Sequence, residues 1–246
     1  MALMLREMAT QYGRNPGGYI WALLQPLGGI LMMAVGFSLI IRAPALGTSF
    51  ILLYASGMLA FDMYMDVSAT TARALQFSRP LLSYPAVTWM DAILARLFLN
   101  LLTNAFVALV LLTGIILYSG VHLSIDIGPI VLAMLLAALV GLGVGCLNCV
   151  LGGLYPTWNM VWGILSRPIF ITSCIFFLYS DLPRSVQDIM WYNPLVHIVG
   201  LMRKGIYNPI YHADYVSVWY VVGVSLPMIA LGLLLIRRYY KEILGS

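Results

Sequence analysis

Six stretches of this sequence are each apolar for about the length that crosses a lipid bilayer, and no other feature constrains the fold as strongly. They cover about 19–41, 50–71, 92–117, 129–151, 161–179 and 216–236. Crossing a hydrocarbon core takes about 20 such residues at a rise of about 1.5 Å each. Overall, 62% of the chain is hydrophobic and 9% is charged, against roughly 25% charged in soluble domains. The expected fold is therefore an all-α polytopic membrane protein with six transmembrane helices, a single domain over 1–246 with little left for a soluble unit.

The segments between the spans are read in turn. On a helical wheel of residues 1–12, Met1, Met4, Leu5, Met8, Ala9 and Tyr12 share one arc and Arg6, Glu7, Thr10 and Gln11 the opposite one. That pattern suits an amphipathic helix over 1–15 lying in the interface plane; the alternative is a frayed terminus. Arg14-Asn15-Pro16-Gly17-Gly18 then turns the chain into the bilayer. No small-residue cleavage site follows the first span, so targeting is expected to rest on that span.

Basic residues set the orientation. With six spans both termini share a side, and that side holds Arg6, Arg14, Arg73, Arg79, Arg96, Arg167, Arg237, Arg238 and Lys241. Only Arg42, Arg184, Arg203 and Lys204 fall on the other side. Both termini and residues 73–96 are thus expected in the cytoplasm. The net charge of +4 is accounted for by this bias, so it is no nucleic-acid footprint. Residues 180–215, on the external side, hold apolar runs too short to span, separated by Pro183, Pro194 and Pro209. Re-entrant helices fit there if other helices cover their backbone.

The stretch 73–96 concentrates Arg73, Arg79, Asp91 and Arg96 around Leu81-Leu82 and Tyr84, with Pro80 and Pro85 expected to interrupt any continuous helix. An apolar knob flanked by arginine reads as a docking surface for another protein; the alternative is a loop resting on lipid headgroups. Within the second span, Asp62 and Asp66 lie one turn apart on one face. Ionisable groups at membrane depth face wet or protein-lined interiors, so both are candidates for a substrate path, or Asp66 pairs with Arg73. Asn100 and Asn104 in the third span serve as interhelical glue or line the same path. Gly141-x-x-x-Gly145 offers a close-packing face.

The three cysteines, Cys146, Cys149 and Cys174, sit inside apolar stretches and read as structural thiols, with no disulfide framework and no metal set. Tyr179, Trp191 and Tyr192, with Tyr207, Tyr211, Tyr215, Trp219 and Tyr220, read as an interfacial belt or as sugar-stacking guides. The two lysines, Lys204 and Lys241, complete no phosphate-cradling loop. Any driving ATPase is then a separate polypeptide, leaving this chain without a cofactor of its own. An intramembrane acyl or glycosyl transferase is the reading from a different class, disfavoured because no acid, base and nucleophile converge. A passive channel is a further one.

The order of parts resembles the membrane subunit of type-2 ATP-binding-cassette exporters, and within it the permease that exports capsular polysaccharide in Gram-negative bacteria. The resemblance rests on Leu5-Arg6-Glu7 through Gln25-Pro26, Arg79-Pro80-Leu81-Leu82-Ser83-Tyr84 with Asp91 and Arg96, Arg167-Pro168, and most specifically Trp191-Tyr192-Asn193-Pro194-Leu195-Val196-His197 followed by Arg203. It implies that Arg6, Arg79, Pro80, Leu81, Leu82, Tyr84, Asp91 and Arg96 couple the chain to the ATPase, which would hold ATP and Mg. It implies an external gate involving Pro183, Asn193, Pro194, His197 and Arg203. Expected partners are a second copy, two ATPase subunits, a periplasmic polysaccharide co-polymerase, an outer-membrane channel and a lipid-linked polysaccharide. The expected location is the bacterial inner membrane. O-antigen and teichoic-acid exporters share the architecture. Asp62 and Asp66 match no motif of the family.

Overall fold

The computed structural model describes residues 18–82, 88–120 and 124–245. The expected interfacial helix over 1–15, Arg6 and Tyr84 lie outside them, as do the side chains of Pro80, Leu81 and Leu82. The described residues form nine helices: α1 Gly18–Ser38, α2 Phe50–Ala72, α3 Ala74–Leu82, α4 Trp89–Ser119, α5 Ile127–Leu154, α6 Trp158–Thr172, α7 Arg184–Met190, α8 Pro194–Ile206 and α9 Val218–Gly245. A 3-10 turn, Tyr179–Asp181, lies between α6 and α7. Five of the helices, α1, α2, α4, α5 and α9, are long and apolar enough to cross a membrane.

The helix ends follow from local chemistry. Ser49 caps α2 by accepting from the Leu52 amide at 3.4 Å. Thr88 and Asp91 form a capping box at the start of α4, so backbone donors that a helix start leaves open are satisfied locally. Gly120 ends α4 with φ of 59°, a left-handed conformation that favours glycine.

The helices α2 and α5 form the centre. A Cβ added at Gly141 would fall 2.7 Å from the Tyr64 carbonyl oxygen, and one at Gly145 would fall 2.8 Å from that of Ser68. The expected small-residue face thus brings α5 onto the α2 backbone. On another side of α5, Gly143 meets Met228 and Gly232 meets Cys146, which seats α9. Helix α8 packs on both α5 and α2. Helices α1 and α4 lie against α2; among its described side chains α1 buries Ile30 and Ala34. Cys146 and Cys149 are buried with Leu75, Ile93 and Ile236.

Two expectations are corrected. The fifth span is not one helix: α6 stops at Thr172 and residues 173–178 are irregular. Side chains take the carbonyls that would have continued it. Thr172 Oγ1 donates to Pro168 O at 3.0 Å, Ser173 Oγ donates to Ile169 O, and Asn193 Nδ2 donates to Thr172 O at 3.2 Å. Pro80, expected to break the chain, lies inside α3. It falls in the last turn of a short helix, where a missing amide removes few bonds.

Candidate functional site

A polar cavity of about 470 Å³ opens between α1, α2 and α4. Trp21, Gln25 and Pro26 line it from α1, Asp62, Asp66 and Thr70 from α2, and Asn100, Thr103 and Asn104 from α4, with Arg73 just past the end of α2. Four of the seven residues expected on a substrate path, Asp62, Asp66, Asn100 and Asn104, are thereby brought to one site, while Tyr179, Trp191 and Tyr192 are not among its lining residues. Spacing explains it: Asp62, Asp66 and Thr70 recur every four residues along α2, as Asn100 and Asn104 do along α4.

The asparagines spend their donors on the site's own frame. Asn100 Nδ2 donates to Arg96 O at 2.8 Å and to Thr70 Oγ1 at 3.1 Å; Asn104 Nδ2 donates to Asn100 O at 3.1 Å. Thr70 Oγ1 in turn donates to Asp66 O at 2.6 Å. They are glue and lining at once. Arg73 does not close on Asp66; its Nε donates to Ala69 O at 3.2 Å.

Arg96 lies beneath this frame and is 6% exposed. Its burial leaves little of the side chain at the surface where docking was expected. Its Nη1 donates to Thr70 O at 3.2 Å, and its guanidinium carbon stands 4.9 Å from the centre of the Phe77 ring, a cation–π distance. Helix α3 is held by buried Ala74, Leu75 and Ser78, while Phe77 is 67% exposed and Arg79 is exposed beside it. Phe77 is a residue that sequence reasoning missed; an aromatic two positions before Arg79 was the available signal. Asp91 is exposed, but its carboxylate is taken by Thr88 N at 2.9 Å and Thr88 Oγ1 at 2.6 Å. It acts here as a helix cap.

The external residues form a packed frame. Tyr179 is 8% exposed, stacks on Tyr215 at 4.1 Å and donates to Gln187 O at 3.0 Å. Trp191 Nε1 donates to Tyr215 O at 3.1 Å. Tyr179 is packed away from the surface and Trp191 is half-buried, whereas Tyr192 is 70% exposed. His197 is 1% exposed, with Nδ1 accepting from Ser217 N at 3.2 Å and Nε2 2.8 Å from Trp191 O. Pro183 precedes α7, and Asn193 caps α8 by accepting from Leu195 N at 3.0 Å, with Pro194 in its first turn.

Arg203 is wholly buried. Its Nη1 donates to Phe177 O at 3.0 Å and its Nη2 to Ile175 O at 2.8 Å. It therefore satisfies the irregular backbone of 173–178, as any non-helical segment at membrane depth requires. Of the residues expected at a gate, Asn193, His197 and Arg203 tie this frame together through these hydrogen bonds.

Arg167, counted from sequence with the cytoplasmic charges, lies within α6 and is exposed. No residue of α6 is buried.

The ABC-2 type transporter family model matches residues 1–207. The chain is 30% identical over 247 residues to the polysialic acid transport protein KpsM of Escherichia coli, covering 100% of this chain and 95% of the relative. It is 25% identical over 242 residues to the capsule polysaccharide export inner-membrane protein CtrC of Neisseria meningitidis serogroup A, covering 98% and 91%. With the capsule polysaccharide export inner-membrane protein BexB of Haemophilus influenzae it shares 24% over 243 residues, again 98% and 91%. A helical bundle built on membrane-length spans, with a family match over most of its length, leaves one assignment: the chain belongs to the ABC-2 type transporter family.

Proposed function

We propose that this chain is the membrane permease subunit of an ATP-driven exporter of capsular polysaccharide in the bacterial inner membrane, with both termini cytoplasmic. The observation that carries the reading is similarity along the whole chain to three proteins named for polysaccharide transport or capsule polysaccharide export. ATP and Mg bind a separate ATPase, which docks on α3 and the residues that follow it. Exposed Phe77 and Arg79 are the described part of that surface. Two permease copies and two ATPases make the transporter, and the polymer passes on a lipid carrier to periplasmic and outer-membrane partners.

Six crossings remain the topology of this reading. Helix α6 has 15 residues, about 22 Å at 1.5 Å each. The six irregular residues after it add up to about 20 Å, enough together for a core of about 30 Å. Helices α7 and α8 then form the external re-entrant segment. The cavity holding Asp62, Asp66, Asn100 and Asn104 supplies polar contacts at bilayer depth for a hydrophilic cargo.

Affinity purification of the chain co-expressed with the ATPase of the same export system tests this. The two are expected to co-purify, with ATPase activity stimulated by the permease, and Arg79→Glu is expected to uncouple transport while the permease stays folded. Lack of any ATPase partner, or export at the normal rate with Arg79→Glu, contradicts the reading.

A further inference from the structure

Helix α6 carries an arginine where a lipid-facing helix has no use for one. Phe170 of α6 contacts Phe61 with ring centroids 5.0 Å apart. Phe61 is the midpoint of α2, which has 23 residues and so spans about 34 Å, close to the whole hydrocarbon thickness. Arg167 lies three residues before Phe170, about 4.5 Å along the axis. It is therefore about 10 Å inside the cytoplasmic edge of the core.

At that depth a guanidinium faces a protein interior or water, since lipid tails solvate neither its charge nor its donors. Arg167 is exposed and has no hydrogen-bond or ionic partner among the described residues. It stands on one face with Met160, Ile164 and Ile171, which are 72%, 64% and 55% exposed. A second observation points the same way. Pro168 lies inside α6 and provides no amide for the carbonyl of Ile164, removing that group's usual helical donor. A charge and an under-satisfied carbonyl thus occur together on the exposed face of a helix none of whose residues is buried.

We propose that this face of α6 lines a water-filled path shared with a second copy of the chain, and that Arg167 receives an oxyanion of the passing cargo there. Guanidinium suits carboxylate and phosphate because its planar donors match two oxygens at once. The oxyanion has two sources, the acid groups of the sugar polymer or the phosphate of its lipid carrier. The proposal rests on the permease reading for its second copy and its cargo.

Thiol labelling tests it without transport. The native cysteines are 0%, 2% and 1% exposed, so an introduced thiol reads out alone. Met160→Cys and Ile171→Cys are made separately in the full chain, co-assembled with its ATPase in nanodiscs of neutral lipid. Each is treated with an anionic sulfonatoethyl or a cationic trimethylammonioethyl methanethiosulfonate. Both positions are expected to label, with the anionic reagent ahead by about tenfold, as attraction to one nearby charge in a confined path gives. Arg167→Gln is expected to erase that preference and Arg167→Lys to keep it.

Oligogalacturonate that slows labelling at both sites identifies the glycan's carboxylates as the ligand. Slowing only when phosphatidic acid is added to the nanodiscs identifies a lipid phosphate. Absence of labelling by either reagent means that α6 faces lipid, and overturns the proposal. So does a preference that survives Arg167→Gln, or protection by neither anion. Complementation of a capsule-export deletion by the wild-type chain is scored in parallel. Export with no labelling sinks the oxyanion path alone, whereas failure to restore export sinks the permease reading.

Discussion

Arg203 shows how far a residue's chemistry depends on where the fold sends it. On the sequence it is one of two adjacent basic residues on the external side and suggests a gate. In the fold its neighbour Lys204 is exposed, while Arg203 is buried and bridges two carbonyls of 173–178. Removing its donors leaves those oxygens without partners, at about 1–3 kcal/mol for each. Arg203→Met is expected to lower the thermal midpoint of the detergent-purified protein, read by a thiol-reactive dye as the buried cysteines emerge. Arg203→Lys is expected to recover less than half of the loss, because one ammonium does not reproduce the two-pronged geometry. The four path candidates on α2 and α4 were legible because four-residue spacing on a helix fixes a shared face. The burial of Arg96 and the packing of Tyr179 and His197 were not, since which face meets a neighbour depends on contacts distant in sequence.

Among the elements, glycine spacing marked α5 as a close-packing helix, while its partner α2 became visible only in the fold. The contact is backbone-close at Gly145, where an added Cβ would lie 2.6 Å from Thr71 Cβ. Gly145→Ala is expected to destabilise by about 1–3 kcal/mol, the usual cost of forcing extra volume into a packed site. Gly114, with nothing within 4 Å of its would-be Cβ, provides the contrast. Gly114→Ala is expected to be neutral or to stabilise by up to about 1 kcal/mol through helix propensity. Side-by-side thermal unfolding of the two variants checks both signs. The interruption after Thr172 was not legible, because apolar composition runs on past the point where side chains capture the helix carbonyls.

For the whole molecule, hydropathy marked six apolar passes, five of which are helices long and apolar enough to cross a membrane, and charge bias proposed their direction. The bias survives moving Arg167 into α6, since most basic residues remain on the side of Arg73 and Arg79. A cysteine at Arg79 is therefore expected to react with a membrane-impermeant maleimide only in inverted vesicles, and one at Arg42 only in right-side-out spheroplasts. The opposite pattern would reverse the orientation. What composition could not supply was the arrangement of passes around one another, which rests on a few close approaches between distant residues.

Those close approaches also decide where movement is available. With Gly141 and Gly145 set against the α2 backbone, sliding or rotation of α5 on α2 meets carbonyl oxygens at once. The pair behaves as a fixed post, braced at one end by the aromatic frame around His197. Helices α1 and α6, which bury few or none of their side chains, are the elements held to that post by the least packing.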